Sequence, residues 1–311
     1  MARPLAEALR RRPLFFEPVP PPARSPAGRV ENAIGELASL LQRTPRVDAV
    51  DVPELVDENH DGRPYYRSVD PRFFAHRIAE RAGISAIVNK VVAHLDQPAG
   101  VEGWAKETAA LGIQGAVLVG GSSRYIPYPG PPVAEANRLC RPIFAAHGGV
   151  IGNIAIPSRM GEPHRMLAKT RAGAVFFTTQ IVFDEAATWR TVKEYGQLCA
   201  QAGLTPAAVL VSFAALADEI DAEFVRWLGA EIPESAERAI LNGDEQGAGA
   251  RSVTHALGVW GRIAERHAAA ASEVPLGVNV EQISARHLAT AAQMLEAFTR
   301  GIEAEPPGPG A

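Results

Sequence analysis

The sequence predicts a (β/α)8 barrel, also called a TIM barrel, formed by a single domain. Short apolar runs rich in β-branched residues alternate with longer amphipathic segments along the 311 residues. Eight such units match a barrel of this kind in number and size. The strands are apolar along most of their length, which indicates a parallel sheet covered by helices. An open doubly wound sheet is the alternative, but neither GxGxxG nor GxxxxGK[ST] follows any of the runs.

The predicted strands and helices follow one another in the order that a barrel requires. The strands are 13–17, 48–55, 85–95, 115–121, 150–157, 174–183, 207–216 and 275–283. The helices are 28–43, 70–82, 101–111, 131–147, 162–172, 184–202 and 285–300. The remaining segment, 217–274, is too long for one crossover helix. We therefore expect an extra helical insertion before the last strand, with a loop around residues 241–250.

The ends of the chain are predicted to lie outside the barrel. Residues 1–12 form an N-terminal extension, residues 13–301 the catalytic barrel, and the Pro/Gly-rich residues 302–311 a disordered tail. A net charge of −4 gives no reason to expect nucleic acid or an anionic membrane as a partner. No apolar run has the roughly 18 residues of a membrane helix, and "PLFF" is too short for a signal-peptide core. With two cysteines and no CxxC motif, we expect a cytoplasmic protein.

The first predicted strand ends in an unusual way. Phe15 and Phe16 lead directly into Glu17, and four of the next five residues are prolines. Proline fixes φ and lacks an N–H donor, so the strand cannot continue past the glutamate. Active sites of such barrels lie at the carboxyl ends of the strands. Glu17 is therefore either a solvated strand terminus or a functional carboxyl group.

Polar residues also interrupt or follow the other predicted strands. Asn89 and Lys90 stand inside the third strand, where alternation allows only one of them to face the interior. A buried lysine usually has a carboxylate partner. Lys90 therefore either pairs with Asp51 or Glu17 or contacts a ligand. Glu281 lies on the last strand.

The sequence gives little support for a metal site or for a serine nucleophile. The eight histidines include no HExxH motif and no pair at metal-ligand spacing, so we expect no metal site. No GxSxG motif is present, which makes Ser122 a poor nucleophile. Gly120, Gly121 and Ser122 instead form a loop that offers backbone N–H groups to a phosphate or a polar ligand edge.

Two segments resemble the methylenetetrahydrofolate reductase family. "LAKTRAGAVFFTTQIVFD", residues 167–184, resembles the K-x-x-AGA-x-x-x-x-TQ-x-x-[FY]D segment of these enzymes. "FFEPVPPP", residues 15–22, is similar to their opening aromatic–Glu–x–x–Pro–Pro strand. The order of the other strands agrees with the family along nearly the whole chain.

The resemblance implies a (β/α)8 oxidoreductase of one-carbon metabolism and methionine biosynthesis. Such an enzyme reduces 5,10-methylenetetrahydrofolate to 5-methyltetrahydrofolate with NADH or NADPH. Glu17 matches the glutamate that assists protonation of the folate, and Gln180 matches the glutamine that contacts its pterin side. Gln180, Lys90, Asn89, Ser122 and Glu281 are our predicted substrate-binding residues.

The cofactor positions depart from the flavin-dependent members of the family. Gly120, Gly121 and Ser122 replace the Arg-Gly-Asp run of those members, and Lys90 falls near their histidine. Lys169 matches a lysine that meets the flavin phosphates. The departures favour a flavin-independent, actinobacterial-type branch with direct hydride transfer, so we do not expect bound FAD. The predicted cofactor-binding residues are Asp51, Gly120, Gly121 and Lys169.

Two other functions stay open at this point. A folate-dependent methyl or one-carbon transferase would keep the folate pocket without redox activity, and the missing flavin residues motivate this alternative. A non-catalytic partner subunit is the other. In each case the expected partner is a small folate, and the outer helices of such a barrel leave a homo-oligomer open.

Overall fold

The computed structural model describes residues 3–59, 63–96, 98–123, 125–243 and 245–304. Eight parallel strands close into a barrel surrounded by helices, which confirms the predicted fold. The ten strands are β1 Leu14–Glu17, β2 Ala49–Val52, β3 Val56–Glu58, β4 Pro64–Tyr66, β5 Ser85–Val91, β6 Gly115–Val119, β7 Val150–Ala155, β8 Phe176–Thr179, β9 Ala208–Ala214 and β10 Leu276–Glu281. Their order around the barrel is β1-β10-β9-β8-β7-β6-β5-β2. All eight predicted strands are present.

Eleven α-helices lie within the described residues. They are α1 Leu5–Ala8, α2 Ala27–Arg43, α3 Pro71–Ala82, α4 Ala99–Ala110, α5 Val133–Ala146, α6 Glu162–Arg171, α7 Glu185–Gln201, α8 Glu219–Trp227, α9 Glu234–Leu241, α10 Glu245–Ala269 and α11 Leu288–Ala304. The described residues of segment 217–274 form three helices, α8 to α10, in agreement with the expected helical insertion before the last strand. Two short 3-10 helices, Val92–His94 and Ala285–His287, follow β5 and β10. None of the described helices is both long and apolar enough to cross a membrane.

The chain divides into two compact units, which are described separately. Unit 1 comprises Met1–Ala8, Pro20–Ile154 and Ala168–Phe177. Unit 2 comprises Leu9–Val19, Ala155–Leu167 and Thr178–Ala311. Of the predicted tail, 302–311, residues 305–311 lie outside the described residues, and α11 continues to Ala304.

The core of unit 1 places one face of β6 against helices. Ala116 and Leu118 are fully buried in a cluster with residues of α4 and α5, among them Ala105 and Cys140. Burial, followed by the charge of Glu102, raises the pKa of the Cys140 thiol to about 12. Both cysteines are buried, and Cys140 packs as a small apolar residue.

A two-stranded hairpin occupies a region that we expected to be a loop. β3 and β4 pair antiparallel between β2 and α3, and residues 60–62 lie outside the described residues. Helix α3 then begins at a favourable cap, because the Asp70 side chain accepts a hydrogen bond from the backbone N–H of Arg72 and Pro71 opens the helix. Short period-two segments with exposed side chains give little sequence signal, which explains why the hairpin was missed.

Candidate functional site

Unit 2 contains a pair of carboxyl groups on neighbouring strands. Glu17 is the last residue of β1 and Glu281 the last of β10, and the two are partners in the parallel register. The amide nitrogen of Asn279 donates to Glu17 Oε2 at 2.8 Å and makes a weak contact with Glu281 Oε1 at 3.5 Å. One buried amide therefore links the two carboxyl groups.

These side chains project from the face of the sheet opposite to the helices. Phe213 stacks on Phe298 of α11 with the ring centroids 5.0 Å apart, so Phe213 points toward the helix layer. Because side chains alternate along a strand, its neighbour Ser212 points the other way. Asn279 pairs in register with Ser212 and donates to its hydroxyl at 3.1 Å. Ser212, Asn279 and the two glutamates thus form one polar cluster on the inner face, where barrel sites lie.

The surroundings of Glu281 favour its protonated form. Burial and then the charge of Glu17 raise the pKa of Glu281 well above its ordinary value, and hydrogen bonds from Ser212 and Asn279 oppose this only in part. Two like charges this close cannot both ionise easily. The raised pKa favours the protonated form of Glu281 beside Glu17, an arrangement suited to delivering a proton to a ligand.

Replacing Glu281 by glutamine is expected to stabilise the protein at neutral and alkaline pH. A carboxyl group whose pKa is raised in the folded state binds its proton there after the unfolded chain has released it. Stability therefore falls as the pH rises from the unfolded pKa toward the folded pKa. Glu281→Gln removes this decline, and its melting temperature should exceed that of wild type by roughly 2–4 °C for each kcal/mol regained.

Thermal melts at pH values from 4 to 9 measure this effect. The gain should shrink toward pH 4, where the glutamate is protonated in both states. Glu223→Gln serves as the control, because Glu223 is an exposed residue of α8. A variant that is less stable than wild type at pH 8 would refute the raised pKa.

Two glutamines hold the backbone around this cluster. Gln180 follows β8 directly, and its amide donates to the carbonyl of Leu228 at 2.9 Å while its oxygen accepts from the N–H of Ile181. Gln282 is buried and accepts from the N–H of Val19 at 3.2 Å. The structure thus gives Gln180, a predicted substrate contact, a second role in anchoring the end of α8.

The polar residues of β5 point to opposite faces of the sheet. Leu118 packs against α4 and α5, and Lys90 is its register partner, so Lys90 lies on the helix side. Asn89 consequently faces inward. Asp51, the register partner of Ile87 two residues before Asn89, shares that inner face.

Lys90 forms a buried ion pair with Glu54. The distance from Lys90 Nζ to Glu54 Oε1 is 2.5 Å, and both side chains are 7% exposed. The other oxygen, Oε2, accepts from the backbone N–H of Val91 at 2.9 Å. From the sequence we expected Lys90 either to pair with Asp51 or Glu17 or to contact a ligand. The structure provides Glu54 instead, because Lys90 faces the helices and the segment after β2 folds back over the end of β5.

A second glutamate of the same segment binds the loops that follow β5 and β6. Glu58 Oε1 lies 2.7 Å from His94 Nε2, and Oε2 accepts hydrogen bonds from the hydroxyls of Ser122 and Tyr128, each at 2.6 Å. Burial raises the pKa of Glu58, but these three hydrogen bonds lower it, and the net shift of the pKa is downward. Gly121 is required here, because a Cβ atom would lie 2.2 Å from the Tyr128 ring.

The predicted cofactor residues have protein partners of their own. Lys169 Nζ donates to the carbonyl of Ile154 at 2.7 Å, Ser122 donates to Glu58, and Gly121 is covered by Tyr128. A flavin phosphate would need the Lys169 amine and an open loop at Gly121 and Ser122. The amine is bound to a backbone carbonyl, and the loop is occupied by Glu58 and Tyr128. These residues therefore do not fit a flavin phosphate, and no step of the chemistry is assigned to FAD.

One group of described residues has the composition of a metal site. Ligand atoms of Asp218, Asp221 and His287 lie within 4.8 Å of one another. The guanidinium of Arg286 lies 3.4 Å from Asp218 and 3.7 Å from Asp221, and His287 Nδ1 lies 2.8 Å from Asp221. Arg286 and His287 already pair with both carboxylates, so the group is explained as a hydrogen-bonded ion-pair network.

Comparisons with known proteins agree on the fold. No protein-family model and no curated protein matches the chain. Among solved structures, a protein from Clostridium thermocellum superposes with a TM-score of 0.76 at 14% identity, covering 95% of this chain and 98% of that one. It is described as an uncharacterized protein that binds two copies of 5-methyl-5,6,7,8-tetrahydrofolic acid. At this identity the likeness shows the barrel fold, and the ligand belongs to that protein.

Sequence reasoning missed three residues that organise the two clusters. Ser212 interrupts the otherwise apolar "AAVLVSFAAL", and a lone hydroxyl in a barrel strand is a usable signal. Asn279 precedes Glu281 by two residues, a spacing that places both on one face of a strand. Glu54 gave no comparable signal, since its contact with Lys90 depends on how the chain folds after β2.

Proposed function

We propose that this protein binds a reduced folate and reduces 5,10-methylenetetrahydrofolate to 5-methyltetrahydrofolate, with a reduced nicotinamide as the hydride donor. The observation that carries the proposal is the buried carboxyl pair of Glu17 and Glu281, joined by Asn279, in which burial and the charge of Glu17 raise the pKa of Glu281. It coincides with the segment that resembles the opening strand of methylenetetrahydrofolate reductases.

The pair meets the proton requirement of this reaction. The methylene carbon of the substrate bridges two nitrogens and accepts hydride only after one carbon–nitrogen bond has broken. Protonation of the leaving nitrogen turns it into an amine and leaves a carbon–nitrogen double bond at the other nitrogen. The Glu17–Glu281 pair supplies this proton and later recovers one from solvent.

Asn279 supplies the complementary hydrogen-bonding group. Its nitrogen is engaged with Glu17 and Ser212, whereas its buried oxygen, Oδ1, has no hydrogen-bond partner among the described residues. A buried acceptor without a partner is costly. The N–H groups of a pterin ring would satisfy Asn279 Oδ1, which supports folate binding on the inner face.

The reduced nicotinamide supplies the hydride when it is bound. The hydride adds to the methylene carbon and converts it to a methyl group, while the nicotinamide is oxidised. With the proton from the carboxyl pair, the two hydrogens of the reduction are accounted for. On the cofactor side, the inward-facing Asp51 and the loop at Gly120 remain our proposed contacts.

The Clostridium thermocellum protein adds support, because 5-methyltetrahydrofolate is the product of the proposed reaction. The same ligand favours a second candidate, a methyltransferase that uses 5-methyltetrahydrofolate as its methyl donor. That protein would bind the folate but would not oxidise NADH or NADPH.

Two measurements on the purified protein separate these functions. Calorimetry with 5-methyltetrahydrofolate reports binding, and NADH or NADPH oxidation in the presence of 5,10-methylenetetrahydrofolate reports reduction. We expect both to be positive. Binding without oxidation would favour the methyltransferase, and the absence of binding would refute a folate site.

A further inference from the structure

Unit 1 contains a cavity of about 320 Å³ next to the ion pair of Lys90 and Glu54. It is lined by residues of the hairpin segment, the start of α3, β5 and α4: Glu54, Tyr66, Ser68, Asp70, Pro71, Arg72, Asn89, Lys90 and Trp104. Its volume lies at the lower end of the range for small-molecule sites, which is roughly 300–1,000 Å³. It has room for a single ring or a fused ring pair.

Aromatic rings supply part of the wall. Tyr66 of β4 is 53% exposed, and Trp104 of α4 is partly buried against Phe144 at a centroid distance of 6.3 Å. An aromatic ring that is held in place while keeping an open face is a stacking platform for a flat ligand. The shape and the walls therefore favour a planar heterocycle over a flexible chain.

The polar groups of the wall determine which hydrogen-bonding groups that heterocycle must carry. Lys90 is buried and has three N–H donors, of which one binds Glu54 among the described contacts. Lys90 Nζ also lies 5.3 Å from the centroid of the Tyr66 ring. The remaining donors need an acceptor oxygen. Glu54 uses one lone pair on each oxygen, so its carboxylate can still accept from a ligand N–H.

The charge of the wall excludes a strongly anionic ligand. Glu54 and Asp70 carry two negative charges and Arg72 and Lys90 two positive charges, so the formal charges cancel. Arg72 is already bound to Asp70 at 2.8 Å and to Glu107 at 3.1 Å. A phosphate would therefore meet a wall with no net charge, in which Arg72 is already paired. A neutral ring with a carbonyl beside an N–H group could instead accept a hydrogen bond from Lys90 and donate one to Glu54.

We propose that this cavity is a binding site for a flat, neutral heterocycle that carries a carbonyl next to an N–H donor, stacked on Tyr66 with its carbonyl on Lys90 and its N–H on Glu54. A pterin and a dihydronicotinamide carboxamide both have this edge. The inference rests on the cavity alone and does not require the proposed function.

Binding of two neutral probes tests the site. We would titrate wild-type protein with 6-methylpterin and, separately, with 1-methyl-1,4-dihydronicotinamide, measured by calorimetry. We expect one of them to bind, and the one that binds shows whether the natural ligand is a pterin or a dihydronicotinamide. Tyr66→Ala should weaken it roughly tenfold, the scale of one lost stacking contact. Tyr65→Ala is the matched control, because Tyr65 is 59% exposed on the same strand and does not line the cavity.

A further variant tests the polar contacts of the site. Lys90→Met combined with Glu54→Gln removes both polar contacts without leaving a lone buried charge, and should also weaken binding at least tenfold. Glu223→Gln, at an exposed position of α8, should leave the affinity unchanged. Failure of both probes to bind wild type would overturn the proposal. Binding that survives Tyr66→Ala and the double substitution would overturn it as well.

Discussion

Replacing Glu17 by glutamine is expected to lower the turnover number for reduction of 5,10-methylenetetrahydrofolate by roughly 10²–10⁴-fold, the usual contribution of a positioned acid or base. Glutamine keeps the size of the side chain and can still bind the Asn279 amide through its oxygen. It removes the negative charge that helps to keep Glu281 protonated, and it cannot exchange a proton. Initial rates of NADH or NADPH oxidation measure the effect.

The loss should appear in the rate and leave folate binding largely intact. Affinity for 5-methyltetrahydrofolate, measured by calorimetry, serves as the check that the site is still formed. Glu223→Gln, at an exposed position of α8, should leave the rate unchanged. A Glu17→Gln protein that reduces the folate as fast as wild type would refute the proton-donor role of the pair.

The largest expected effect on stability concerns the Lys90–Glu54 pair. Lys90→Met leaves the Glu54 carboxylate buried without its cation, and removing one partner of a buried ion pair typically costs about 3–5 kcal/mol. Adding Glu54→Gln should recover most of that loss, because an amide is far cheaper to bury than a charge. Urea unfolding of wild type, both single variants and the double variant measures the coupling between the two residues.

An exposed ion pair provides the comparison. Lys106 and Glu102 lie four residues apart on α4, at 3.4 Å, with side chains 65% and 40% exposed. Lys106→Met should change the free energy of unfolding by no more than about 0.5 kcal/mol. If Lys90→Met were equally mild, the Lys90–Glu54 pair would not hold the segment after β2 in place.

The barrel could be predicted because its signal is repeated eight times. Each strand is a short apolar run such as "GAVLVGG", and each crossover is an amphipathic segment of helical length, so an error in one unit leaves the total intact. The hairpin of β3 and β4 has no such redundancy. It is short, its side chains are partly exposed, and the contacts of Glu54 and Glu58 that hold it are made with residues more than thirty positions away.

The two glutamates of the carboxyl cluster could be predicted from the sequence, but their adjacency and the roles of Ser212 and Asn279 could not. Glu17 and Glu281 were visible as charged ends of apolar strands. Their adjacency depends on the closure that pairs β1 with β10, which brings together residues 264 positions apart in sequence (281 minus 17). Lys90 was also visible in the sequence, but its surroundings were not. The alternation of side chains along β5 decides which face of the sheet it lies on, and the sequence alone did not identify Glu54 as its partner.

Transfer of deuterium from the nicotinamide to the folate tests the proposal most directly. Wild-type protein, purified without absorbance near 450 nm and therefore free of flavin, would be given 5,10-methylenetetrahydrofolate and NADH or NADPH fully deuterated at C4. We predict 5-methyltetrahydrofolate with one deuterium in its methyl group, detected by mass spectrometry. Formation of an unlabelled methyl group would contradict direct hydride transfer, and the absence of any methyl product would contradict the reductase itself.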